Sequence, residues 1–353
     1  MTPKPPIRIA TISNNPNPDW VWIRDLMGPD FSVDGRKLEW AGFSTAPERR
    51  AASELGRRMF RKVPGLGRYR GARMLAQEAR RRPFDLIVSH GPWTTAWTQF
   101  ALGQANVRTS HLAFSFNFTD LPDGLRKAMM KRSFESVDAF AVFTDGEQDL
   151  YADWFGLDRE RFIRAPWGVA PPLSEPPPRR MIEHDYVVAL GGEARDYATL
   201  CETARLCPEM RFVAVARPHN FADLAPPDNL EVFFNLPFRD AWGIVWHARA
   251  ALIPLRSRET ACGLVTLVGG MHLGKAQVVT AAAGLLDYVE DGSTALLVPP
   301  RDAGAMAAAV RRLLADPALA ARIGARAKAY AGAQCSEAAT VAFFRDFLIR
   351  RFG

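Results

Sequence analysis

The stretch ALIPLRSRETACGLVTLVGGMHLGKAQVVT, residues 251–280, contains one complete strand–helix–strand unit. An apolar run ends at Leu255, a polar turn follows, and apolar residues at helical spacing begin near Gly263. A glycine turn at Gly274 ends the helix, and the apolar run AQVVTA follows over 276–281. Strands and helices that alternate in this way indicate a parallel sheet with helices on both faces.

The same alternation continues on both sides of this stretch and is interrupted once. The interruption is the proline-rich segment APWGVAPPLSEPPPRR, residues 165–180, because proline continues neither a helix nor a central strand. We therefore divide the chain into four parts. They are an N-terminal domain over 1–170, a linker over 171–184, a second domain over 185–335 and a terminal helix over 336–353.

The predicted fold class is α/β, with two Rossmann-like doubly wound domains that face each other across a cleft. Ligands of such folds bind at the carboxyl ends of the strands, so the site is expected in that cleft. We expect the terminal helix, with Val341, Phe344 and Leu348 at helical spacing, to cross back to the first domain.

Composition sets limits on the class of protein. A chain of 353 residues with 48% hydrophobic and 24% charged residues is typical of a globular protein with about two domains. The four cysteines lack the spacing of metal ligands, which favours reduced thiols in a cytosolic protein without a metal site. The sequence shows no signal peptide and no apolar run of ~20 residues, so we expect a soluble cytoplasmic protein.

Two turns of the second domain are candidates for holding phosphate. Gly191 and Gly192 join a strand to a helix, and Arg195 follows them before the helix begins. Glycines allow phosphate to approach the backbone, and an arginine can hold it by two parallel hydrogen bonds. The alternative is an ordinary strand–helix turn with a surface arginine.

The second turn lies within the opening stretch. There the free N–H groups of Gly263, Leu264, Val265 and Thr266 would begin a helix and face a diphosphate, with help from the Thr266 hydroxyl.

Four blocks in the second half resemble, in order and spacing, the carboxyl-terminal half of family 4 glycosyltransferases of the GT-B fold. They are GGEARDYATL (191–200), NLEVFFNLPF (229–238), the opening stretch, and GLLDYVEDGSTALLVPPRDAGAMAAAVRRLLAD (284–316). The resemblance is weaker over 1–170, where YADWFGLDRERFIRAPWGV (151–169) matches the end of the family's first domain.

The resemblance implies a retaining, metal-independent hexosyltransferase of bacterial surface-glycan synthesis. Its donor would be a UDP- or GDP-sugar, its acceptor a lipid-linked or polysaccharide glycan, and it would need no cofactor. Arg195 would neutralise the donor diphosphate, and the loop from Asn235 to Phe238 would hold the base. A family histidine near the reacting sugar makes His111 the first candidate and His90 the second.

The chain departs from the family at two glutamates that lie eight positions apart. Ala261 and Gly269 occupy these positions, and Glu259, two residues before the first, is the candidate replacement near the sugar. Loss of a carboxylate–ribose hydrogen bond would weaken donor binding about ten- to a hundredfold. A weakly active or inactive scaffold protein therefore remains an alternative, and a sugar-nucleotide 2-epimerase is a further one.

In the first domain, Asn14 and Asn15 follow the predicted strand IRIATI (7–12). His90 ends the predicted strand FDLIVSH (84–90), and Trp93 comes shortly after it. We interpret these four residues as candidates for acceptor binding. For the asparagines, the alternative is a polar loop without a ligand.

A basic segment accounts for the net charge of +7. Residues 49–82 contain twelve basic and two acidic residues, interleaved with apolar side chains such as Met59, Phe60 and Met74. This pattern suits an anionic membrane surface, so we expect peripheral association with the inner membrane. A solvated helical face is the alternative, and nucleic acid is disfavoured because no nucleic-acid-binding module accompanies the charge.

Overall fold

The computed structural model describes residues 4–15, 22–46, 66–177, 179–256 and 259–353. The chain forms two compact units. Unit 1 combines Met1–Ala165 with Val341–Gly353, and unit 2 is Pro166–Thr340. Each unit is built on a mainly parallel sheet, which confirms the α/β prediction.

Within its described residues, unit 1 has a seven-stranded sheet in the order β2-β3-β1-β4-β5-β6-β7. All neighbouring strands are parallel except β2, which pairs antiparallel with β3 at the edge. The strands are β1 (Ile7–Ser13), β2 (Ser32–Val33), β3 (Arg36–Ser44), β4 (Leu86–His90), β5 (Ser110–Phe114), β6 (Ala139–Val142) and β7 (Phe162–Arg164).

The helices of unit 1 cover both faces of this sheet. They are α1 (Trp22–Met27), α2 (Leu66–Arg81), α3 (Pro92–Gln104), α4 (Gly124–Phe134) and α5 (Asp145–Phe155). Successive side chains of a strand point to opposite faces, so Ile7 and Ile9 of β1 pack in one core while Ala10 and Ile12 pack in another with α2 and α3.

Within its described residues, unit 2 has a six-stranded, fully parallel sheet in the order β10-β9-β8-β11-β12-β13. The first strand in sequence, β8, lies in the middle of this sheet, and the strand order runs outward on either side of the β8/β11 pair. This pair is therefore the topological switch point of a doubly wound fold. The strands are β8 (Val187–Leu190), β9 (Phe212–Ala216), β10 (Leu230–Phe234), β11 (Ala250–Ile253), β12 (Gln277–Thr280) and β13 (Leu296–Val298).

Helices also cover both faces of the second sheet. They are α6 (Tyr197–Leu206), α7 (Phe238–His247), α8 (Leu264–His272), α9 (Ala303–Ala315) and α10 (Pro317–Gln334). Aspartates begin three of them: the carboxylates of Asp196, Asp302 and Asp316 accept N–H groups in the first turns of α6, α9 and α10. The helices expected after Arg195 and near Gly263 are present as α6 and α8.

The terminal helix α11 (Glu337–Phe352) packs into unit 1, as the sequence predicts. Val341, Phe344 and Leu348 lie in the same buried cluster as Ile7 and Ile9 of β1.

The segment expected to be a linker over 171–184 belongs to unit 2 in its described residues. Ile182 is buried, and Leu173 packs against the cluster that contains Trp242 of α7. Prolines prevent regular structure here, but they do not prevent apolar neighbours from packing on the unit.

Candidate functional site

The two predicted phosphate turns lie side by side at the switch point of unit 2. The first follows β8 and the second follows β11, its neighbour in the sheet. Arg195 and Leu255 form an antiparallel bridge, in which Asp196 N donates to Pro254 O at 3.0 Å and Arg256 N donates to Ala194 O at 2.9 Å. These backbone bonds fix the two turns to each other.

The side chain of Arg195 is buried beneath the turns, with 6% of its surface exposed. Its Nε donates to the carbonyl of Leu190 at 3.1 Å, and its Nη1 donates to that of Glu193 at 3.1 Å. Nη2 donates to the hydroxyl of Thr266 at 2.8 Å, so three of the five N–H groups are used. Arg195 has no carboxylate within ion-pair distance among the described residues, and burial lowers its pKa.

Such a charge is costly to bury without a counter-ion. Two N–H groups remain for an anion at this edge of the sheet. Arg195 is therefore a buried cation without an ion pair among the described residues, with Glu193 as a more distant electrostatic partner, and its two remaining N–H groups suit an anion.

Glycine is required at Gly191 for two reasons. Its φ is +130°, which side chains rarely adopt, and a Cβ there would lie 2.6 Å from Nη2 of Arg195. Gly263, with a φ of +96°, serves as the N-cap of α8, and a Cβ on it would lie 3.5 Å from Nη1 of the same arginine. The two turns thus meet around one guanidinium.

The first turn of α8 differs in one respect from the sequence prediction. Thr266 N already donates to Gly263 O at 3.0 Å, and the Thr266 hydroxyl donates to Leu190 O at 3.2 Å while it accepts from Arg195. Thr266 therefore positions the arginine rather than offering its own groups to a ligand. In the described structure the N–H groups of Gly263, Leu264 and Val265 have no protein acceptor, and their contact with a diphosphate stays a prediction.

Ala261 and Gly269, the two positions that the resemblance aligns with glutamates, are both buried. Gly269 lies buried against α7, and a Cβ there would overlap the six-membered ring of Trp242. A Cβ on Gly270 would lie 2.7 Å from the side-chain oxygen of Gln277, and Ala261 is buried. At position 269 the indole of Trp242 thus occupies the space where a glutamate side chain would begin.

Glu259, the predicted replacement, is exposed in the bend that precedes Thr260. Its neighbours Ser257 and Arg258 lie outside the described residues, so a role for Glu259 near the sugar stays a prediction.

The predicted base loop begins at Asn235, which has a φ of +55° and a backbone N–H that donates to Ala216 O at 3.1 Å. Asparagine tolerates this conformation better than most residues. Phe238, at the start of α7, is 65% exposed, and its ring lies 6.2 Å from that of Trp242. An exposed aromatic ring at this edge can stack on a planar ligand.

Arg217 is a residue of this edge that sequence reasoning missed. It directly follows β9, and its Nη1 donates to Oδ1 of Asn235 at 2.9 Å. Its position immediately after a strand was the available signal, because the carboxyl ends of parallel strands share one edge.

In unit 1 the four predicted acceptor residues lie at the ends of two neighbouring strands or directly after them. β1 pairs with β4, and Ile12 lies opposite Ser89 in that register. Asn14 and Asn15 follow β1, whereas His90 ends β4 and Trp93 lies in the first turn of α3. All four lie at the β1/β4 switch point.

Two details define this edge. Trp93 is 41% exposed, and burial lowers the pKa of His90 to about 4, so its ring is neutral at neutral pH. A neutral imidazole and an exposed indole suit an uncharged polar ligand such as a glycan.

His111, the first catalytic candidate, is the exception. It is the second residue of β5, pairs with Ile87, and lies fully buried toward the amino end of the strand. Gln99 Nε2 donates to its Nδ1 at 2.7 Å, and its Nε2 donates to the hydroxyl of Ser89 at 2.7 Å. Burial lowers its pKa to about 3.

The assignment of His111 to the reacting sugar is therefore wrong. The sequence did not reveal that β5 begins only at Ser110, which places the histidine near the amino end of the strand.

The basic segment 49–82 is described only from residue 66. In that part, α2 presents Arg73, Met74, Arg80 and Arg81 to solvent, and Met74 is 54% exposed. Among the described residues, no helix combines the length and the apolar character needed to span a bilayer.

Residues 199–316, about a third of the chain, match the family model described as "Glycosyl transferases group 1". This match includes β9 to β13, α7 and α8, and thus the turn before α8, but it begins after Gly191, Gly192 and Arg195. Among curated proteins, none matches the sequence significantly.

Solved structures with the same fold cover nearly the whole chain. Sucrose-phosphate synthase from Thermosynechococcus elongatus has a TM-score of 0.73 at 17% identity, over 98% of this chain and 99% of that one. HepE from Anabaena, solved in complex with UDP and glucose, has a TM-score of 0.70 at 15% identity, over 96% and 98%.

A glycosyltransferase from Rickettsia africae has a TM-score of 0.67 at 11% identity, over 98% of each chain. At these identities the likeness establishes the fold. The chain has the GT-B fold, with two Rossmann-like domains.

Proposed function

We propose that the protein is a glycosyltransferase that takes a sugar from a nucleoside-diphosphate sugar. The observation that carries this proposal is Arg195, a buried cation without an ion pair among the described residues, held where two glycine turns meet. The available N–H groups at the start of α8 face the same turn and favour anions. The family match over 199–316 and the likeness to a structure that contains UDP support the same donor class.

The arginine has a defined task in such a reaction. When the bond between the sugar and the diphosphate breaks, negative charge accumulates on the departing phosphate oxygens. A cation that is already fixed by Leu190, Glu193 and Thr266 stabilises that charge without reorganisation. We infer that this replaces a metal ion, and that the anomeric configuration is retained.

For the acceptor we propose a lipid-linked or polysaccharide glycan of the bacterial surface. The β1/β4 edge of unit 1, with Trp93 and the neutral His90, is the proposed place of acceptor binding. The exposed arginines and Met74 of α2 support contact with an anionic inner-membrane surface.

The decisive experiment is the Arg195→Ala variant. We expect transfer to fall at least a hundredfold, because a charge-assisted bond to the leaving group is lost. UDP and GDP affinity, measured by calorimetry, should fall at least tenfold. Arg205→Ala, which removes an exposed arginine from the far end of α6, is the matched control. Thermal unfolding checks that both variants fold. Near-normal turnover of Arg195→Ala would reject the proposal.

A protein that binds the nucleotide but turns it over weakly is the second candidate. The observation that favours it is the Trp242 ring at Gly269, which leaves no space for a ribose-binding carboxylate. Tight UDP or GDP binding without transfer to any acceptor in a glycan panel would establish this alternative. Measurable transfer would exclude it.

A further inference from the structure

The consecutive glycines after β8 each make room for a different arginine. A Cβ on Gly191 would lie 2.6 Å from Nη2 of Arg195, and a Cβ on Gly192 would lie 2.7 Å from Cγ of Arg217. Arg195 comes from the same turn, whereas Arg217 comes from the end of the neighbouring strand β9. Two cationic side chains from separate segments therefore pack against one turn.

Arg217 is held in this position from both ends. Its backbone N–H donates to Oδ1 of Asn220 at 3.0 Å, and Nδ2 of Asn220 donates to Gly192 O at 2.8 Å. Its guanidinium reaches the end of β10, where Nη1 donates to Oδ1 of Asn235 at 2.9 Å. Nε and Nη2 have no acceptor among the described residues and face solvent.

The charge around this turn is only partly balanced, because the Glu193 carboxylate acts on Arg195 electrostatically without forming an ion pair with it. Neither Arg195 nor Arg217 has an ion-pair partner among the described residues. Two like charges packed on adjacent residues repel each other, and the repulsion is stronger near the low-dielectric interior than in water. An anion with two charged groups relieves the repulsion and satisfies the free N–H groups of both side chains.

We propose that Arg217 is the second cation of the donor site and makes it select a nucleoside diphosphate over a monophosphate. This inference rests on the proposed function and assigns a residue that determines specificity within it. Arg195 holds phosphate from beneath the glycine turn, and Arg217 holds it from the solvent side. The bond to Asn235 links the phosphate turn to the loop proposed for the base.

Calorimetry with UDP, UMP, GDP and GMP tests the proposal in wild type and Arg217→Gln, using the nucleoside that wild type binds more tightly. We expect Arg217→Gln to lower diphosphate affinity at least about tenfold and monophosphate affinity less than about threefold. Arg217→Lys keeps the charge but loses the planar fork, so it should recover part of the selectivity.

Arg211→Gln is the matched control, because Arg211 is an exposed arginine at the opposite end of the same strand. It should leave both affinities unchanged, and thermal unfolding should show both Gln variants folded. Equal losses for the two ligands would assign Arg217 to the nucleoside and overturn the proposal. An unchanged diphosphate affinity in Arg217→Gln, or the same loss of affinity in Arg211→Gln, would also overturn the proposal.

Failure of this inference is distinguishable from failure of the proposed function. A wild-type protein that binds neither UDP nor GDP overturns both. If wild type binds them and Arg195→Ala abolishes binding while Arg217→Gln does not affect it, only the role of Arg217 is lost.

Discussion

Unit 2 contains two glycine pairs with opposite effects on the site. Gly191 and Gly192 make room for the side chains of Arg195 and Arg217, and so bring charge to an exposed edge. Gly269 and Gly270 of α8 make room for the side chains of Trp242 and Gln277, which fill the buried space beside the helix. In a sequence the two pairs look alike. The structural role of each pair depends on which side chain occupies the space that a Cβ would fill.

The largest effect is expected from placing a carboxylate at Gly269, beside the ring of Trp242. Gly269→Glu forces a side chain into the ring of Trp242 and buries a carboxylate beside it, and both changes are destabilising. We expect the free energy of unfolding to fall by at least about 4 kcal/mol, measured by urea denaturation.

Gly332→Glu is the control, since Gly332 is exposed in α10 with no atom near its Cβ position. It should leave stability equal or slightly higher, because Glu is a better helix former than Gly. A stable Gly269→Glu variant that binds nucleotide more tightly would show that the slot is open to a ribose.

A smaller effect is expected when a methyl group is added at Gly191, against the guanidinium of Arg195. Gly191→Ala places a Cβ against the buried guanidinium of Arg195 at a φ of +130°, at a cost of about 1–3 kcal/mol. Diphosphate affinity should fall at least about tenfold by calorimetry, because the cation is displaced. Gly146→Ala, an exposed and uncrowded helical glycine in α5, should change neither quantity adversely. Unaltered affinity in Gly191→Ala would argue against the turn as the phosphate site.

A still smaller effect is expected when a methyl group is added at Gly192, the second glycine of this turn. The added methyl of Gly192→Ala comes closest to the flexible stem of Arg217, and Asn220 Oδ1 is at an ordinary contact distance of 3.6 Å. Stability should therefore fall by less than about 1 kcal/mol and diphosphate affinity by about threefold. A double-mutant cycle sharpens the comparison: in an Arg217→Gln background the same change should have almost no effect on affinity. Additive losses would mean that Gly192 acts on the ligand independently of Arg217.

The smallest effect is expected from removing metal ions. Because Arg195 and Arg217 neutralise the diphosphate in our proposal, excess EDTA should leave the transfer rate unchanged. The rate is measured with and without chelator at constant ionic strength. A loss that Mg²⁺ restores would show that the two arginines do not replace a metal.

Much of the fold follows from local patterns in the sequence. The strands of both sheets are marked by short apolar runs, and the helices from 197, 264 and 303 follow glycine or aspartate starts. Arg195 could be identified because it lies next to its own glycine turn. Each of these signals is contained within about ten residues.

The features that sequence reasoning missed or misplaced depend on contacts between distant segments of the chain. The prediction for His111 is wrong because its ring is buried against Ser89 and Gln99, which come from other segments of unit 1. Arg217 was missed because it acts on Gly192, 25 positions earlier, and the partner of Gly269 is Trp242 on a different helix. Prolines suggested a free linker, but Ile182 packs on unit 2. Contacts between distant segments decide these cases, and no local pattern encodes them.

The terminal helix has a consequence for how the protein is made. The buried cluster of unit 1 joins Ile7 and Ile9 to Phe344 and Leu348, so the ribosome must translate all 175 residues of unit 2 before that cluster is complete. At roughly 5–20 residues per second, the delay is about 9–35 s. Unit 2 is continuous in the chain and has no such delay. The unit translated first is therefore the last to be completed, and its nascent apolar face is an expected client of chaperones.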